Sequence, residues 1–369
     1  MKFAAHKAAL NDTLSRLMGV VERTNVLPIL SNISLETGTD KLRLVSTDMD
    51  MEVSEWIDAR IAEPGSVTVP AATLHDITKK MATDLIDFTL RDYRMNIKGG
   101  QAKFALGTLP SSDFPLFKTD AGPACTVTLD SEELRQLIDR TKGAISSEES
   151  RYILGGVHIH AIPDNETCFR AAATDGHRLA RTDAVAREIE GTLNPCIIPR
   201  KALTEIRRIV DKPQGEVRLT FRENTVTLEC ANVTLKSKLI DGVFPDYERV
   251  IPQTAANHVF TIATVPFRQA VERVGSVASK TSAIKMSFGK EALALACRSD
   301  GGDFAEAEDE IPVTGAGKIE CGFNAAYLAE MTSHFPGEFT LELIDPQSPA
   351  RITGKDDPTY LYILMPMRV

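Results

Sequence analysis

The chain repeats itself three times, and this constrains its fold more than any other feature. A hydroxyl–aspartate pair in a strand–turn pattern stands at Thr47-Asp48, Thr174-Asp175 and Ser299-Asp300, at spacings of 127 and 125 residues. Ahead of each pair a short β-rich run leads into an amphipathic helical pattern. Its apolar faces are Leu10, Leu14 and Leu17, then Leu134, Leu137 and Ile138, then Ala270, Val271 and Val274. Asp130-Ser131 and Thr264 are expected as helix N-caps, with Pro266 in a first turn. Between helix and pair an apolar strand is expected at Ile29-Leu30-Ser31-Asn32-Ile33, Ile153-Leu154-Gly155-Gly156-Val157 and Ile284-Lys285-Met286-Ser287-Phe288. After each pair a second strand–helix unit begins, marked by Pro70, Pro199 and Asn324, 129 and 125 residues apart. Six copies of one module therefore run along 369 residues. The period is too long for a solenoid and fits three tandem α+β domains, expected at 1-122, 123-253 and 254-369. Their boundaries fall in the turn-forming stretches Gly122-Pro123 and Pro252-Gln253.

With 43% hydrophobic and 25% charged residues, disorder, collagen and a disulfide scaffold are excluded as the main state. No apolar run is long enough for a membrane helix, and the first residues lack the apolar stretch of a secretory signal. The six cysteines are scattered without a C-x-x-C pair, the usage of reduced core thiols in a cytoplasmic protein. A formal net charge of −9 argues against a general nucleic-acid binder while it is taken as an average. Its placement says something else. The six expected helices together carry +6, led by Arg200, Lys201, Arg207, Arg208 and Lys212, which leaves −15 for the rest. If the helices share one side, that side is basic; ordinary solvated helix faces are the alternative.

One stretch looks catalytic. Asp175, His177 and Arg178, in a turn containing Gly176, could support acid–base chemistry or hold an anion. The repeat weighs against catalysis, because Asp48 and Asp300 are counterparts of Asp175, and only His177 and Arg178 are particular to the second third. His158 and His160 alternate along one strand but have no further ligand at metal spacing. Neither a metal nor a cofactor is expected, and no phosphate-binding glycine loop or nucleophile elbow occurs.

Five separated stretches make a family recognisable: Leu27-Pro28-Ile29-Leu30-Ser31-Asn32, Arg151-Tyr152-Ile153-Leu154-Gly155-Gly156, Ala173 through Ala180, Phe244 through Pro252, and Met365-Pro366-Met367-Arg368-Val369. Over its whole length the chain resembles the bacterial DNA polymerase III β subunits, the sliding clamps. That resemblance implies a non-catalytic, head-to-tail homodimer whose six domains close into a ring around duplex DNA, helices inside and sheets outside. The edge strands of the first and third domains would pair between copies. Such a ring tethers a polymerase by linkage, with weak, sequence-independent phosphate contacts. The contacts would come from Arg23, Lys79, Lys80, Tyr152, Arg200, Lys201, Arg207 and Arg208.

The resemblance further implies a hydrophobic cleft for short linear peptides of the polymerase III catalytic subunit, the clamp loader, other polymerases and repair proteins. Carried over by position, the cleft comprises Leu154, Thr174, Gly176, His177, Arg178 and Leu179. Pro245, Arg249 and Val250 come next, and the last strand supplies Ile363, Leu364, Met365, Pro366, Met367 and Arg368. Methionine and aliphatic walls adapt to varied side chains, while arginine and backbone groups fix orientation. Four features depart from the family pattern: Thr24, the acidic Glu148-Glu149-Ser150 loop, Gln347 and Pro349. The competing reading is an α+β enzyme built on Asp175, His177 and Arg178.

Overall fold

A computed structural model describes residues 1–22, 27–118, 121–212, 215–277, 282–298, 305–355 and 357–368. Arg23, Thr24, Lys280, Ser299, Asp300 and Val369 lie outside these residues. Six α-helices stand where the repeat expects them: α1 Lys7–Leu17, α2 Ala71–Lys80, α3 Ser131–Lys142, α4 Arg200–Ile209, α5 Thr264–Val274 and α6 Ala325–Met331. Each is entered directly from a strand, as at Cys125–Asp130 and Cys196–Pro199. The apolar positions chosen by periodicity are buried, Leu14 and Ile138 completely.

Three local expectations need correction. Pro28–Ser31 and Glu149–Leu154 are 3-10 turns, and the strands start later, at Asn32 and Gly156. Proline at the head of the first turn sets φ for a tight turn and removes a ladder donor. Only the third copy, Ala283–Phe288, is strand throughout. Thr264 does not cap α5: it is the first helical residue, Ala263 holds the cap position, and the Thr264 hydroxyl is buried without a partner. Asn324, by contrast, caps α6, its Oδ1 accepting from the N–H groups of Ala326 and Tyr327.

By contact the chain forms two compact units. The first holds Met1–Arg135, Ala186–Asn194 and Lys201–Ile240; the second holds Gln136–Val185, Pro195–Arg200 and Asp241–Val369. The division runs through the central third. Within the first unit, a thirteen-stranded sheet continues from the N-terminal third into half of the central one. There the strand Val233–Lys238 pairs antiparallel with Met51–Glu63, Val233 opposite Glu55. The joint is reinforced by Asn232, whose Nδ2 donates to the Trp56 carbonyl at 2.7 Å. Within the second unit a nine-stranded sheet does the same, Arg178–Val185 pairing with Tyr360–Leu364, and a separate four-stranded sheet carries Ala283–Phe288. Each unit has its own aromatic core, with Phe3 stacked on Phe88 at 4.6 Å in one and Phe260 on Phe288 at 4.1 Å in the other.

All six cysteines are free; Cys125, Cys230, Cys297 and Cys321 are buried, but Cys168 and Cys196 are only half-buried. Among the described residues no helix is long and apolar enough to cross a membrane.

Candidate functional site

The hydroxyl–aspartate pairs build the same turn twice. In the first, the Thr47 hydroxyl donates to the Met51 carbonyl and accepts from the Met49 N–H, while Asp48 Oδ1 accepts from the N–H groups of Asp50 and Met51. In the second, Thr174 donates to the Arg178 carbonyl and accepts from the Gly176 N–H, and Asp175 Oδ1 accepts from His177 and Arg178. The pair is therefore a side-chain template for reversing the backbone. The third position is left-handed in both, φ 77° at Met49 and 90° at Gly176, and of these two turns the second relieves it with glycine.

What the second turn carries is different. Arg178, 9% exposed, donates from Nε to Asp175 Oδ2 at 3.0 Å and from Nη1 to Glu330 Oε2 at 2.9 Å. Its Nη2 donates to the Gly143 carbonyl, and its guanidinium lies 4.1 Å from the Tyr327 ring centroid. Burial opposes the charge, but Tyr362 and Glu330 outweigh it, so the guanidinium pKa is raised. These groups line a cleft of about 630 Å³. Arg178 is thus tied internally to Asp175, Glu330 and the Gly143 carbonyl.

His177 is exposed, and its carbonyl accepts from the Met365 N–H at 2.9 Å. This bond extends the ladder in which Arg178 faces Leu364 and Leu179 faces Ile363. Leu154, Leu179, Ile363 and Leu364 are buried, whereas Met365 is 39% and Val250 48% exposed. Pro245 and Arg249 are exposed beside the turn Tyr247–Val250, with Arg249 held by Asp246 at 2.7 Å. That turn is anchored by Tyr247, whose hydroxyl bonds His160 Nε2 at 2.7 Å, and by Glu248 on Arg170 at 3.1 Å. His158 stacks on Phe244 at 4.8 Å; burial, then the neighbouring His160, push its pKa down to about 4. The alternating histidines are thus packing groups. Pro366 is half-buried, and Met367 and Arg368 line a different hollow, with Lys285, Arg298 and Glu308.

The expected DNA-contacting residues fall in both units. Lys79 and Lys80 end α2, exposed. Lys201 is paired with Asp48, and with Glu22 at 3.6 Å; burial lowers its pKa, but these carboxylates raise it further. Arg207 reaches Asp211 at 2.8 Å, and Arg208 reaches Glu205 at 3.1 Å. Arg200 donates to the Ile145 carbonyl at 2.5 Å, and Tyr152 is 61% exposed. Arg23 is not among the described residues.

Sequence reasoning missed Glu330, Glu205 and Gly143. A signal was present, since the sixth residue after Pro70, Pro199 and Asn324 is acidic each time: Asp76, Glu205 and Glu330.

Three models of the DNA polymerase III beta subunit match the chain in succession: the N-terminal domain over residues 1–118, the central domain over 128–246 and the C-terminal domain over 248–368. The chain belongs to the beta sliding clamps. The Caulobacter vibrioides beta sliding clamp is 38% identical over 376 residues, covering all of both chains, and that of Pseudomonas aeruginosa is 33% identical with the same coverage. Among solved structures, a Bartonella birtlesii clamp bound to griselimycin superposes with a TM-score of 0.93 at 34% identity, again over both whole chains. As a sliding clamp the chain is a processivity subunit of three tandem clamp domains, and it performs no catalysis. The enzyme reading of Asp175, His177 and Arg178 is thereby overturned, and the geometry gives the reason. Asp175 spends both oxygens on the turn and on Arg178, and Arg178 is enclosed by its own partners.

Proposed function

We propose that two copies of this chain close head to tail into a ring around duplex DNA, each contributing the domains 1-122, 123-253 and 254-369. Two open sheet edges support this reading. Ala102–Gly107 ends the thirteen-stranded sheet and exposes Lys103 and Phe104; Glu306–Pro312 ends the four-stranded sheet and exposes Glu306, Glu308 and Glu310. Open edges invite pairing, and here their charges are opposite. Joining the basic edge of one copy to the acidic edge of the next leaves both closed, and repeating the joint once completes a ring. Lys79, Lys80, Tyr152, Arg200, Lys201, Arg207, Arg208 and Arg23 then contact phosphates weakly. The ion pairs on Lys201, Arg207 and Arg208 keep those contacts loose enough for sliding.

The exposed rim of His177, Met365, Pro245, Arg249 and Val250 receives short peptides from the polymerase III catalytic subunit, the clamp loader, other polymerases and repair proteins, in the cytoplasm. The bond from the Met365 N–H to the His177 carbonyl carries this part, because it joins the segment bearing an exposed, adaptable thioether to the turn bearing an exposed imidazole. The griselimycin-bound relative supports a ligand site on this fold. Solution mass together with retention on loaded DNA tests the ring: a dimer is expected to stay on closed circles and slip from linear molecules. A monomeric mass, or equal retention on both, overturns it.

A further inference from the structure

Glu330 belongs to no expected contact set, yet it sits at a recurring device. In each unit a carboxylate on the second helix of a module pair occupies space left by a glycine just after another helix. A Cβ on Gly19, beyond α1, would lie 2.1 Å from Glu205 Oε2, and one on Gly143, beyond α3, would lie 1.4 Å from Glu330 Oε1. The two acids are equivalent, each six residues after its helix-entry residue, Pro199 or Asn324. Their partners are not. Glu205 is answered on its own helix by Arg208. At the corresponding place after Glu330 stands Ser333, and the arginine has moved to the turn, where Arg178 replaces Met51.

We infer that Glu330 is a positioning residue of the peptide site, acting through Arg178 to hold the His177 turn, and this rests on the peptide-binding reading above. Arg178 is gripped on one side by Glu330 and the Gly143 carbonyl and on the other by Asp175. His177 lies between Asp175 and Arg178, so its main chain is fixed from both ends, and its carbonyl fixes Met365 in turn. A charged hydrogen bond in a half-enclosed site resists displacement more than a neutral one. Helices α3 and α6 thereby set the placement of a rim neither helix forms.

The test uses the full-length protein and griselimycin as the probe, with affinity measured by calorimetry. Glu330→Gln is expected to weaken binding about tenfold, the scale of one lost charge-assisted bond, while solution mass and retention on circular DNA stay unchanged. Glu330→Asp, which keeps the charge, is expected to restore most of the affinity. In an Arg178→Met background the Glu330→Gln loss is expected to vanish, a coupling that a merely structural role would not produce. The equivalent Glu205→Gln is expected to leave griselimycin binding unchanged. If His177→Ala weakens binding but Glu330→Gln does not, or if the Arg178 and Glu330 effects simply add, the inference is overturned while the peptide site stands. If His177→Ala binds as the parent does, the peptide-site reading fails first and takes the inference with it.

Discussion

The turns at Thr47–Met51 and Thr174–Arg178 share one hydrogen-bond scaffold and differ in the three residues it displays. Threonine and aspartate do the same work in both, down to the carbonyl and N–H groups they bind. The displayed residues are Met49, Asp50 and Met51 in one, and Gly176, His177 and Arg178 in the other. Met51 is a buried apolar side chain; Arg178, almost as buried, is a cation tied to two acids. The two copies keep one template and differ in the three residues after the aspartate.

Four measurements would break or sharpen this contrast. Arg178→Met makes the second turn resemble the first and strands Asp175 and Glu330. Chemical denaturation should show a loss of about 3 kcal/mol, the low end for breaking a buried pair because Glu330 is partly solvated; a loss near zero would make the two turns interchangeable.

A smaller effect should separate the units by pH. His158 has its folded pKa depressed to about 4, so the unfolded chain binds the proton first as pH falls. The stabilisation is therefore complete above about pH 6.5 and lost on the way down to about pH 4. Between pH 7 and pH 5 roughly 2 kcal/mol should disappear from the second unit. Hydrogen exchange should show that unit loosening, and His158→Phe should flatten the profile.

Next come the paired glycines. Gly143→Ala must push Glu330 off Arg178 and should cost about 2 kcal/mol. Gly19→Ala displaces Glu205 only from the half-exposed Arg208, so its loss of stability should be less, about 0.5 kcal/mol. Equal losses would dissolve the distinction between the two acids. The smallest pair tests the shared backbone: Met49→Gly should gain and Gly176→Ala lose up to about 1 kcal/mol, since both positions are left-handed. Both shifts are readable by thermal melting.

Much of the fold was legible because it is local or periodic. The six helices follow from apolar spacing, and the aspartate turns follow from their recurrence. The start of the Asn32 and Gly156 strands was not, since Ile29-Leu30 and Ile153-Leu154 are as apolar in a 3-10 turn as in a strand. Nor was the joint between Val233 and Glu55, a pairing across far-separated sequence with no local mark. Peptide-site positions could be carried over from the family resemblance, but not which of them face solvent. Leu179, Ile363 and Arg178 are buried, because burial and ion pairing are decided by what lies across the sheet.

The outward pairing of the central third has a consequence for how such a chain can be cut. One of its halves is stitched to Met51–Glu63 and the other to Tyr360–Leu364. Expressed by itself, the segment 123–253 would carry two raw strand edges whose natural partners are missing, and edges of that kind recruit whatever strand they meet. Such a fragment should precipitate or form ragged oligomers at concentrations where the whole protein stays dispersed. The central third is therefore shared out between two sheets, and cutting it free severs both.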